Sequence, residues 1–124
     1  MKKEVFDMNN FDYRITEDVY EWIKNGTKRI EVRLYNEKAQ KINIGDTITF
    51  ITLNTNRKIN VKVIGLFRYS NILDLFDDFN KNLIVHKTMP KEEISKMFED
   101  LMGKENVEKY DVLGIKFNLL EADK

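Results

Sequence analysis

The chain has 124 residues, 42% of them apolar, which is enough for one compact core. Its 21 basic and 21 acidic side chains cancel, so net charge alone excludes a protein that coats polyanions indiscriminately. With no cysteine, disulfides, thiolate metal sites and thiol nucleophiles are all excluded.

The start, Met1-Lys2-Lys3-Glu4-Val5, lacks the apolar segment of a secretory leader, and no apolar run reaches the roughly 18 residues of a membrane span. A cytoplasmic protein with one domain over residues 1–124, monomeric and not membrane-associated, is the expectation. The first element is a helix: Ile15, Val19, Trp22 and Ile23 recur at helical spacing, Thr16 can cap the start, Glu17 and Asp18 suit the first turn, and Gly26 closes the end. Trp22 fits the apolar stripe and reads as core rather than as a stacking platform.

Strands are expected near 29–35, 47–53, 58–67 and 112–120, the second and third joined by a hairpin through Asn54-Thr55-Asn56-Arg57, with Gly65 marking a bulge or bend. A second helix is predicted from Asn71 to Phe79, with Ile72, Leu75, Phe76 and Phe79 inward and Ser70 or Asn71 as cap. A third follows Pro90, carries Ile94, Met97, Phe98, Leu101 and Met102 inward, and ends at Gly103. This order fits an α+β fold, an open or closed β-barrel decorated by helices.

The stretch Gly26-Thr27-Lys28-Arg29-Ile30-Glu31-Val32-Arg33-Leu34-Tyr35 carries the strongest functional signal. Ile30, Val32 and Leu34 alternate with Glu31, Arg33 and Tyr35, the pattern of a strand with one face in the core and the other available. A glycine able to take a positive φ at 26 would deliver Lys28 to the same groove. Six basic residues face two acidic ones from Lys24 to Lys41, and seven acids face four lysines from Lys91 to Asp111. One basic and one acidic side are expected, the former meeting any phosphate-bearing partner.

The spacing G-x-K-x-x-E-x-R at Gly26, Lys28, Glu31 and Arg33 resembles the signature of the ASCH domain, a branch of the PUA-like superfamily. The likeness continues through Arg33-Leu34-Tyr35-Asn36-Glu37-Lys38, the Gly45-Asp46 turn, Arg68-Tyr69-Ser70 and the final Tyr110-Asp111-Val112-Leu113-Gly114-Ile115 strand. The resemblance implies a PUA-like barrel of about five to six strands with two to three helices. It also implies a cleft bordered by the Arg68-Tyr69 junction.

Chemically, Lys28 and Arg33 could grip a phosphate or base edge, with Glu31 orienting them and accepting from an exocyclic amine. Tyr35 and Tyr69 could stack on bases, and Lys24, Arg29, Lys38 and Lys41 are candidate phosphate neighbours. RNA or a nucleotide-like ligand is the expected partner. The alternative is a hydrolase, with Lys28 and Glu31 as its catalytic candidates: the resemblance implies either a ribonuclease or an enzyme that cleaves the amide of N4-acetylcytidine. In that last subgroup a threonine stands three residues after the lysine, whereas this chain has Glu31 there. An acid beside Lys28 is expected to pair with it and raise its pKa, which disfavours a lysine base. His86, the single histidine, reads as a surface or core-edge residue, and Asp74, Asp77 and Asp78 match no loop of oxygen ligands, so neither a metal nor a cofactor is expected.

Overall fold

The computed structural model describes residues 8–122, so the start from Met1 to Val5, on which the absence of a leader was read, lies outside the described residues. Five strands form one sheet: β1 (Asn10–Ile15), β2 (Ile30–Leu34), β3 (Thr47–Thr52), β4 (Lys58–Tyr69) and β5 (Val112–Ala122). Four α-helices accompany them: α1 (Glu17–Lys24), α2 (Ile72–Asp78), α3 (Lys91–Met102) and α4 (Lys104–Tyr110). The sheet order is β1-β3-β4-β5-β2, with β1 and β3 parallel and every other neighbouring pair antiparallel. The sheet curls into a half-barrel, and its two free edges, β1 and β2, face each other across a seam bridged by the Arg33 guanidinium donating to the Arg14 carbonyl at 2.8 Å.

Local chemistry explains most of these elements. Thr16 caps α1 by accepting from the Val19 amide, Glu17 and Asp18 occupy the first turn, and Gly26 follows the helix at φ 89°. The β3–β4 hairpin closes where Thr52 Oγ1 accepts from the Arg57 amide at 2.8 Å and Asn56 takes a positive φ. Arg57 then pairs with Glu17 and Glu21, tying the hairpin to α1. Asn71 caps α2, and the β4–β5 register shifts between Val63 and Gly65, the bulge anticipated at that glycine.

The sheet is covered on both faces. One cluster fills the curl with Tyr20 and Ile23 of α1 against Phe50, Val61 and Phe117. The other lies beneath α2, α3 and α4, where Ile30, Val32 and Val112 meet Leu75, Phe76, Ile94 and Val107. This arrangement corrects the reading of β2. Ile30 and Val32 point at the helices, and the opposite face of the strand turns into the mouth of the curl, so Glu31 is buried rather than exposed.

Three further differences follow from packing. Strand β1 was not anticipated, because Asp12 and Arg14 interrupt its apolar positions and only Tyr13 and Ile15 are buried; Ile15 ends that strand instead of starting the helix. Helix α4, a fourth helix, is only seven residues long and buries a single side chain, Val107, which leaves no periodicity to read. Leu101 does not point inward with its helix: it is 78% exposed. Among the described residues no helix is long and apolar enough to cross a membrane.

Candidate functional site

Lys28 enters the site because the chain after α1 turns sharply and is held in that turn. The Lys28 amide donates to the Trp22 carbonyl at 3.0 Å, and the Thr27 hydroxyl donates to the same carbonyl and to Asn25 Oδ1. Arg29 is then fixed between Leu83, whose carbonyl accepts its amide at 2.8 Å, and Phe117, whose amide donates to its carbonyl. The side chain of Lys28 is thereby directed inward, where it is 3% exposed.

All three N–H bonds of the Lys28 ammonium are spoken for. They donate to the carbonyls of Ile84 at 2.6 Å and Ile30 at 2.8 Å and approach Glu31 Oε1 at 3.1 Å. The other Glu31 oxygen lies 2.7 Å from both Nε and Nη2 of Arg33. Burial lowers the Lys28 pKa below its usual range and outweighs the opposing pull of Glu31, so the expected increase is corrected: desolvation is the larger effect. Burial alone would raise the Glu31 pKa, but Arg33 and Lys28 together hold it below the ordinary carboxylate value.

Arg33 also spans the seam, with its guanidinium 4.5 Å above the ring of Tyr13. Lys38 sits 3.9 Å over the same ring and donates to the Asp12 carbonyl. Tyr13 thus lies beneath two cations, and its buried hydroxyl has no partner among the described residues. Burial raises its pKa.

Beside the trio opens a cavity of about 610 Å³. Lys28, Glu31, Arg33 and Tyr13 contribute to its lining, as do Trp22 of α1, Ile84 and Val85, and Met97, Phe98, Leu101 and Met102 of α3. Trp22 is half-buried and serves the second core and the cavity at once, with His86 edge-on at 6.3 Å between ring centres. The contribution of α3 had no sequence signal distinct from an ordinary apolar stripe. That of Tyr13 was hidden with β1.

The remaining candidates lie elsewhere. Tyr35 stands outside the cavity lining under the Arg68 guanidinium, 4.6 Å from its ring centre, and Arg68 pairs with Asp111 at 2.9 Å. Tyr69 also lies off the lining and donates to Asp78 at 2.6 Å; burial and that carboxylate push its pKa up to about 12. Lys24 and Lys41 are exposed, while Arg29 turns back to donate to the Lys28 carbonyl. Half of the basic run (Lys28, Arg33 and Lys38) is therefore occupied inside the fold or along the seam rather than spread over a basic face. Among the described residues no group of three or more histidines and carboxylates is placed to hold a metal ion.

The chain resembles several solved structures. The crystal structure of hypothetical protein PH0355 is 30% identical with a TM-score of 0.80, the match covering 90% of this chain and 99% of that one. A Pyrococcus furiosus protein, PF0455, solved by NMR, is 27% identical with a TM-score of 0.74 over 90% of this chain and 98% of its own. At 9% identity an ASCH protein of Zymomonas mobilis shares the fold alone, with a TM-score of 0.64 over 95% of this chain and 75% of that one. No curated protein sequence is detectably similar. The ASCH domain model matches residues 14–121, nearly the whole chain and all of the Gly26-to-Arg33 motif, and on that match the chain belongs to the ASCH domain family.

Proposed function

We propose that the cavity beside Lys28, Glu31 and Arg33 binds a nucleoside unit, free or as an unstacked residue of single-stranded RNA. The observation that carries this reading is the pairing of a buried, hydrogen-bonded ion trio with an aromatic and aliphatic wall in one concave site. A flipped-out base needs both: polar groups for its edge and an apolar surface for its faces. Glu31 can accept from an exocyclic amine through Oε1, which meets only the Lys28 ammonium and so keeps a lone pair, whereas Oε2 already takes two N–H groups of Arg33. Arg33, partly exposed, can meet a base carbonyl or a neighbouring phosphate. The same reading has the protein acting as a single copy in the cytoplasm.

Titration with short single-stranded RNA and with cytidine and adenosine nucleotides, followed through Trp22, the only tryptophan, tests the proposal. Saturable quenching with no new product on chromatography is expected. A folded Lys28→Ala protein that binds as tightly as the parent would remove Lys28 from the site.

A hydrolytic reading keeps one specific observation in its favour, the lowered pKa of Lys28, which a lysine base requires. Against it, the Thr27 hydroxyl is engaged with Trp22 and Asn25, and the Lys28 ammonium is fully used by its three acceptors. Release of acetate from N4-acetylcytidine in the same chromatographic assay would reverse the order of the two readings.

A further inference from the structure

We infer that the cavity, where it meets the β1–β2 seam, holds a subsite for a terminal phosphate, a dianionic monoester rather than the singly charged diester of an RNA interior. The inference rests on the nucleoside-binding reading and adds a phosphate to its ligand. Tyr13 and Arg33 belong to both the seam and the cavity lining, and Asn36, just past β2, lines the cavity as well. Lys38 holds its ammonium over the same Tyr13 ring.

What these side chains have left to offer a ligand is N–H and O–H bonds. The Tyr13 hydroxyl is buried without a partner among the described residues, and burial raises its pKa, which keeps it a donor at neutral pH. Asn36 Oδ1 accepts from the Ala39 amide at 3.1 Å, which leaves its NH2 group to donate. Among the described residues Arg33 bonds through Nε and Nη2, so the N–H bonds of Nη1 remain. Lys38 gives one N–H to the Asp12 carbonyl and has others to give. A phosphate monoester accepts through three oxygens and matches such a group of donors. Charge points the same way. Around the cavity Lys28, Arg33 and Lys87 outnumber Asp18 and Glu31, and Lys38 at the seam raises the surplus to two positive charges. Burial and then the nearby Arg33 hold the Lys38 pKa below the usual lysine range, and an anion beside both cations would offset the repulsion. A dianion cancels that surplus, whereas a diester cancels half of it.

Calorimetry on the parent protein compares adenosine and cytidine with their 3′- and 5′-monophosphates, with the methyl esters of those phosphates, and with inorganic phosphate. A hydrogen bond to a charged group is worth about tenfold or more in affinity. A monophosphate is therefore expected to bind at least about tenfold tighter than its nucleoside, and tighter than its methyl ester. The same ratios are then measured on Tyr13→Phe, Lys38→Gln and Lys62→Gln. Tyr13→Phe removes no hydrogen bond made among the described residues, and Lys38 is exposed, so both variants should fold. Each should bring the monophosphate-to-nucleoside ratio down several-fold. Lys62, exposed on β4 and outside the cavity lining, should leave it unchanged. Equal binding of monophosphate and nucleoside would overturn this inference and leave the nucleoside reading standing. Equal binding of monophosphate and methyl ester would overturn the terminal phosphate, and ratios unmoved by Tyr13→Phe and Lys38→Gln would overturn its placement at the seam. Inorganic phosphate bound through those two residues, with no nucleoside or nucleotide bound, would overturn the nucleoside reading and uphold the anion subsite; binding of none of the compounds would overturn both.

Discussion

At the scale of single residues, Glu31 is the group on which the site depends, since it neutralises two cations at once in a position 7% exposed. Replacing it with alanine leaves the Lys28 ammonium buried beside two carbonyls and no counter-charge. A loss of about 3–5 kcal/mol is expected in urea unfolding, the usual cost of breaking a buried pair from one side. Lys28→Met should cost less, because Glu31 keeps Arg33 and an apolar side chain of similar length fills the space. The pH dependence has a definite sign. The folded carboxyl of Glu31 titrates below its ordinary 4.5, so its contribution is whole above about that pH and is lost as acid carries the protein through the depressed value. An acid unfolding series should therefore show a shallower loss for Glu31→Gln than for the parent. Tyr69 offers an alkaline counterpart: of the phenols that resist ionisation in ultraviolet titration, the one that holds out to about pH 12 should move down in Asp78→Asn, while the raised Tyr13 stays in place.

At the scale of elements, close approach between helix and sheet sets the second constraint. A Cβ on Gly114 would stand 2.9 Å from Leu75 Cδ1, so α2 lies directly against β5 at this point. Gly114→Ala should lower stability by about 1–3 kcal/mol in thermal or denaturant unfolding, because the Leu75 side chain that must give way is fully buried. These contacts also show what was readable in advance. Helices α1, α2 and α3 were legible because each combines a stripe with a terminal signal, in Thr16, Asn71 and the Pro90-to-Gly103 frame. Strands β2 to β5 were legible from alternation, yet alternation cannot tell which face of a doubly covered strand meets which core. That ambiguity is why Glu31 read as exposed. The motif residues Lys28, Glu31 and Arg33 converge in space as their spacing implied, whereas the cavity wall on α3 and the ring of Tyr13 are tertiary facts: Met97 to Met102 meet the motif residues, and Tyr13 meets Arg33 and Lys38, across separations that no local pattern encodes.

At the scale of the whole molecule, the sheet is closed by side chains rather than by a ladder. Arg33 and Lys38 cap the outward carbonyls of Arg14 and Asp12 along an edge that pairs with nothing else but β3 on its other side. Hydrogen exchange should resolve this directly: the amides of Asp12 and Arg14, facing the seam, are expected to exchange faster than those of Phe11 and Tyr13, which face β3. Tyr13 and Arg33 belong to the seam and to the cavity lining alike. Opening of the seam and occupancy of the proposed site would consequently be two sides of one equilibrium. A ligand that grips Arg33 more firmly in the closed form would shift the seam toward closure, and whatever opens the seam would weaken that ligand by the same factor.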